Sequence, residues 1–122
     1  MLGLLLLVLG VSATWAKDCT IPIGLHNHAK HGHASQSSTY EGSVGIIPGP
    51  ELAIDGNDDA EFKLGSCMHT KRDYGPWWTV DMKRLMNVGT VVLTNRQDCC
   101  SERLMGAQVL AGTSPDISQQ TL

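Results

Sequence analysis

The sequence contains no block of basic residues: its nine Lys and Arg are scattered apart from Lys71-Arg72 and Lys83-Arg84. That argues against nucleic acid as a partner, since phosphate recognition needs a clustered positive face. After the first residues, no segment is apolar enough to insert into a membrane, which takes about 20 residues. No Asn-x-Ser/Thr triplet occurs, so N-glycosylation is not expected. There is no Gly-x-Ser-x-Gly elbow, no paired-carboxylate pattern and no catalytic cysteine context, which leaves an enzymatic reading without a constellation to rest on. Sustained 3.6-residue spacing is missing too, and with it any long amphipathic helix. Internal repeats and low-complexity tracts are absent.

What is present begins with MLGLLLLVLGVSATWA, an apolar run that is too short to span a membrane and closes on Ala13-Thr14-Trp15-Ala16. A small-x-small ending of this kind reads as a signal peptide over residues 1–16, with cleavage before Lys17. The run carries no Lys or Arg, so its only positive charge is the amino terminus. Cleavage leaves residues 17–122, which suit one secreted domain and hold the whole formal charge of −3. Four cysteines remain, Cys19, Cys67, Cys99 and Cys100, and in an oxidising compartment they have three possible pairings. Spacing does not choose among them. Adjacent cysteines make a poor staple, because a bridge between neighbours closes almost no loop.

Periodicity points to an all-β domain. Residues 77–82 follow the Gly75-Pro76 turn signal and are rich in β-favouring side chains. The β-branched run Val88–Thr94 has the length of a strand, and Leu104–Leu110 reads as a third. The polar stretch Ala34–Tyr40 suits an outer strand, while Glu51–Ile54 allows one helical turn before Asp55-Gly56-Asn57. Short strands parted by Gly, Pro and Asn turns predict a β-sandwich of the jelly-roll kind. The stretch from Gly112 to Leu122 reads as loop, so the domain is expected to be truncated at its C-terminus.

Four imidazoles, His26, His28, His31 and His33, crowd into eight residues. Neutral imidazole is a common ligand for Zn²⁺ or Cu²⁺. The spacing matches no established zinc pattern, and the segment is read as a polar loop near the mature N-terminus.

The densest signal runs from Ala53 to Gln108. His69 is followed after 26 residues by Arg96-Gln97-Asp98, and Asp98 after four residues by Arg103. Around these stand Gln36-Ser37-Ser38, Ala53-Ile54-Asp55-Gly56-Asn57, Ser66-Cys67, Trp77-Trp78 and Cys99-Cys100-Ser101-Glu102-Arg103. In this pattern the chain resembles the F-type lectins, the fucose-binding family that includes the eel fucolectins, from about Asn27 to Gly112. The resemblance implies a discoidin-like, galactose-binding-type jelly roll and a sugar site made by His69, Arg96, Arg103, Cys99 and Cys100. It also implies a vicinal Cys99–Cys100 disulfide in contact with the sugar ring, and a partner for Cys67 late in the relatives. None follows Cys100 here, so Cys67 is left to Cys19, to another chain or to a free thiol.

The chemistry is sensible without the resemblance. A neutral sugar offers acceptor oxygens, which the forked N–H donors of Arg96 and Arg103 suit, and His69 adds a donor from one ring nitrogen. Two arginines in one pocket need a carboxylate, for which Asp98 is preferred over Glu102 as the group that orients them. Fucose carries a methyl where galactose has a hydroxymethyl, and Phe62 and Tyr40 are the candidates for an apolar patch, with core packing the alternative for Phe62. Trp77 and Trp78 are read as core and strand residues.

Oxygen donors crowd the loop holding Asp55, Asn57, Asp58, Asp59 and Glu61, and oxygen-rich loops suit Ca²⁺. EF-hand spacing is absent. The resemblance implies structural Ca²⁺ held by Asp55, Asn57 and Ser66 with main-chain carbonyls, among them that of Leu52. The expected protein is therefore a secreted, calcium-stabilised lectin for terminal L-fucose, active in innate recognition of fucosylated glycans and acting as a homo-oligomer. The alternative is a discoidin-like adhesion module without fucose specificity.

Overall fold

The computed structural model describes residues 26–41 and 45–114, residues 116 and 119, and the backbone of Leu4–Leu9. Four antiparallel strands form one sheet: β1 (Leu4–Leu9), β2 (His33–Gln36), β3 (Trp78–Asp81) and β4 (Gln108–Gly112). Their spatial order is β2-β3-β1-β4. The remaining regular elements among the described residues are single 3₁₀ turns, at Ala29–His31, Pro50–Ala53, Phe62–Leu64 and Ser101–Leu104. No helix among them is long and apolar enough to cross a membrane.

β3 organises the fold. Gly75, at φ +63°, and Pro76 turn the chain into Trp78–Asp81, as the turn signal predicts. Strand alternation then aims Val80 inward, where it is 1% exposed. β2 pairs with it in the register Ala34↔Val80 and Gln36↔Trp78, so the small buried Ala34 lies directly across from Val80. Gly32 precedes β2 because the chain runs close to β3 there. A Cβ at that position would lie 2.5 Å from a Val80 methyl and 2.8 Å from the Asp81 carbonyl. Met82 joins Val80 at the centre, and Ile54, Trp78, Met86, Val91 and Val109 pack around the pair. The Trp78 indole N–H donates to the Pro50 carbonyl at 2.8 Å, which pins the Pro50–Ala53 turn to the sheet.

Within the N-terminal apolar run, read from the sequence as a removable leader, Leu4–Leu9 form β1 between β3 and β4. Its backbone pairs Leu5 with Val80 on one side and with Ala111 on the other, and the β4 register shifts between Leu6 and Leu9. Cys19 lies outside the described residues.

Two strand expectations are corrected. Val88–Thr94 is not a strand: among the described residues no ladder forms on it, and only Val91 reaches the core. β-propensity is expressed only where a neighbouring strand supplies hydrogen bonds, and here none runs alongside. The Leu104–Leu110 run is divided. Its start closes the Ser101–Leu104 turn, Gly106 reverses the chain at φ +79°, and the strand begins only at Gln108.

Candidate functional site

Three loops meet beside the sheet. The first holds Tyr40, the second runs from the acidic turn through Phe62 to His69, and the third spans Asn95 to Arg103. Backbone bonds join them: Gln97 N–H donates to the Ala60 carbonyl at 2.9 Å, Tyr40 N–H to the His69 carbonyl at 2.9 Å, and His69 N–H to the Pro48 carbonyl at 3.1 Å.

The third loop carries the adjacent cysteines, which are bonded to each other. Cys100 sits at φ +63°, a region that a residue with a Cβ seldom occupies. Around this corner Asn95 donates its side-chain N–H to the Ser101 carbonyl at 3.0 Å, and Arg103 N–H donates to the Cys100 carbonyl at 3.1 Å. The loop is thereby closed both covalently and by hydrogen bonds. Cys67 carries a free thiol.

Arg96 is clamped in two directions. In plane, its Nε and Nη2 donate to the two carboxylate oxygens of Asp98 at 2.8 and 2.5 Å. Below, the Phe62 ring lies 4.6 Å from the guanidinium carbon. The side chains of Arg96 and Asp98 are only 16% and 17% exposed, so this pair is shielded compared with an ordinary surface ion pair. The Arg96 hydrogen bonds hold the Asp98 carboxyl down to about 2, outweighing the opposing effect of burial, and the same bonds raise Arg96.

Arg103 does not pair with Asp98. Its Nη1 lies 3.1 Å from His69 Nε2, while His69 Nδ1 faces the Thr70 carbonyl. A carbonyl only accepts, so the imidazole proton belongs on Nδ1, and Nε2 is the acceptor for Arg103. The expected division of labour is thus altered. Asp98 orients one arginine, His69 orients the other, and the pocket-facing nitrogen of His69 is an acceptor rather than a donor. The His69 ring stacks at 4.7 Å on Tyr40, tilted by 36°, and meets Phe62 edge-on at 5.7 Å.

One open cavity of about 300 Å³ is lined by His69, Arg96, Arg103 and Cys100, while Tyr40 and Phe62 are not among its lining residues. Nor are Asp98 and Cys99 among its lining residues. Leu52, Asn57 and Ser66 line the same cavity on its acidic side, while Asp55 does not. That side is a ladder of side-chain turns: Asp55 accepts from Asn57 N–H at 2.7 Å, Asn57 from Asp59 N–H at 3.1 Å, and Asp59 from Glu61 N–H at 2.9 Å. Ser66 is buried and its hydroxyl donates to the Asp59 carbonyl. Among the described residues, no three His, Cys, Asp or Glu side chains converge as a metal cluster. Within the His26–His33 segment, His28 Nδ1 takes a contact from Arg84 at 3.1 Å.

Sequence reasoning offered Phe62 and Tyr40 as a methyl patch, with core packing the other reading of Phe62, and did not anticipate that both rings pack on His69. No spacing rule signals such a contact.

Comparison with known proteins places the chain in a family. Residues 52–121 match the family model described as NedA-like, galactose-binding domain. Fucolectin-1 of Anguilla japonica is 40% identical over 111 residues, covering 91% of this chain and 62% of the relative. Fucolectin of Anguilla anguilla is 41% identical over 86 residues, covering 70% and 54%. A pentraxin fusion protein of Xenopus laevis is 39% identical over 89 residues, covering 72% of this chain and 21% of that protein. The chain thus spans about three fifths of the length of its fucolectin relatives. No solved structure matches it.

Proposed function

We propose that this chain, which belongs to the NedA-like galactose-binding-domain family and is fucolectin-like within it, binds terminal L-fucose on glycans without changing it. All-β architecture of the galactose-binding type accords with that membership. The observation that carries the reading is the meeting of Arg96, Arg103 and His69 on one cavity wall, each already oriented by a partner.

A sugar hydroxyl both donates and accepts. One such group accepts from an Arg103 N–H that is not committed to His69, whose Nε2 already holds the guanidinium in place. Arg96 offers the donors not committed to Asp98 to a neighbouring oxygen. Bonds to charged donors contribute roughly 1.5–3 kcal/mol each. Cys99–Cys100 and the two loop hydrogen bonds fix the corner between the arginines, so little ordering is left for the moment of binding.

Calcium belongs to this proposal. Asp55, Asn57 and Ser66, with the Leu52 carbonyl, present oxygen alone, which is the donor chemistry of a hard cation. Each carboxylate or amide oxygen used in the turn ladder keeps further lone pairs. When bound, the ion stiffens the acidic wall of the cavity. We further read the protein as secreted, oligomeric through the need for avidity, and engaged in recognising fucosylated surfaces.

Titration with L-fucose, galactose and mannose tests the function. Selective fucose binding is expected; equal or absent binding to all three refutes it. Cell-surface binding that survives Arg96→Ala would instead favour an adhesion module that shares the fold but not the sugar site.

A further inference from the structure

We infer that Phe62 is a positioning residue of the sugar site, a single ring that carries the Arg96 guanidinium on its face and braces the His69 imidazole through an edge-to-face contact. The inference deepens the lectin reading and rests on it for the ligand. Phe62 is the only phenylalanine in the sequence and is 7% exposed, so nearly all of its surface is spent on neighbours. Above it, Arg96 stands 4.6 Å from the ring centroid. That is within the distance at which a cation is attracted by the negative face of the ring, and Arg96 is shielded enough for the attraction to count. To the side, His69 lies at 5.7 Å with an interplanar angle of 71°, an edge-to-face arrangement in which the electropositive rim of one ring meets the electronegative face of the other.

The two contacts have a common consequence. Asp98 fixes Arg96 only within the plane of its guanidinium, and the fork remains free to tilt out of that plane. A ring face below removes the tilt. His69 likewise has its ring rotation set by Thr70 and Arg103, with the Tyr40 and Phe62 rings both packed against it. The ring also sits at the seam of two loops, since Gln97 N–H bonds to the Ala60 carbonyl at 2.9 Å, two residues before Phe62. One side chain therefore couples the separation of Arg96 and His69, the quantity a sugar with fixed hydroxyl spacing would sense.

The test uses the full chain with Phe62→Leu and Phe62→Tyr. Leucine keeps apolar bulk but has no charged face or rim; tyrosine keeps the ring. Fucose affinity is expected to fall about three- to thirty-fold in Phe62→Leu, in line with the usual strength of a cation–ring contact, and to recover to within about twofold in Phe62→Tyr. A second readout needs no sugar. In wild type the side-chain protons of Arg96 should be displaced upfield in the NMR spectrum by the ring below them, with the displacement lost in Phe62→Leu and kept in Phe62→Tyr. An undisplaced Arg96 in wild type overturns the inference, even if the leucine variant fails to fold. So does a folded leucine variant that binds fucose as wild type does. If wild type binds no fucose, the lectin reading fails, and the Arg96 protons still decide what Phe62 does.

Discussion

Reducing the bond between Cys99 and Cys100 separates two effects that disulfides usually combine. Closing a loop of about two residues removes little freedom from the unfolded chain, about 1.2 kcal/mol by the chain-entropy relation. On that figure the melting temperature should fall by no more than roughly 5 °C, since 1 kcal/mol moves a domain of this size by a few degrees. Local effects are larger. Cys100 stands at φ +63°, a conformation that costs a residue with a Cβ about 1–2 kcal/mol, and after reduction nothing covalent holds it there. Two residues of the corner then have to be ordered on each binding event, at about 1–2 kcal/mol apiece. The bonds from Asn95 to Ser101 and from Arg103 to Cys100 persist and restrain part of that freedom, leaving about 1–2 kcal/mol, or a five- to thirty-fold loss of fucose affinity. The assay is calorimetric titration with fucose before and after a mild reductant, with a mass increase of about two hydrogens marking complete reduction. Cys67 is already a thiol and does not change. Unchanged affinity in the fully reduced protein would refute the argument, as would a loss of stability as large as that expected for a long-range bridge.

Three further outcomes are expected. Because Arg96 lowers the Asp98 carboxyl from 3.8 to about 2, the pair stabilises the fold fully above the unfolded value and is lost as pH falls through the folded one. The difference in melting temperature between wild type and Asp98→Asn should therefore be flat above about pH 4 and close between about pH 4 and 2, as followed by circular dichroism. Val80→Ala removes two methyl groups from the best-buried side chain of the core and should cost about 2–3 kcal/mol in urea unfolding; a value under 1 would mean that the sheet does not organise the fold as described. Saturating Ca²⁺ at about 100 times its dissociation constant should add about 2.7 kcal/mol to stability, reversed by EDTA and abolished in Asp55→Ala; an EDTA-insensitive melting curve contradicts the calcium proposal.

The parts legible in the sequence are those set by local chemistry. Gly75-Pro76 announces β3, the Glu51–Ile54 region makes its turn at Pro50–Ala53, and the expected outer strand over Ala34–Tyr40 forms as the shorter edge strand His33–Gln36. Val88–Thr94 misled because β-branched composition describes a residue's preference for a ladder, while the ladder itself depends on a neighbour far away in sequence. At the site, the family resemblance singled out His69, Arg96 and Arg103. It did not reveal that Asp98 would serve one arginine only, or that His69, 34 residues from Arg103, would present a lone pair to it. The bond between Cys99 and Cys100 was likewise undetermined by the residues alone, since four cysteines pair in three ways, and only the family resemblance pointed to it.

The unpaired Val88–Thr94 segment affects how the protein must be handled. Val88, Val92 and Leu93 are 44%, 41% and 36% exposed, in a stretch with no charge and no proline. Uncharged β-prone backbone without a ladder invites the same segment of another molecule to pair with it. Concentrated solutions should therefore cloud well below the temperature at which the core melts, and a lysine at Val92 should keep them clear.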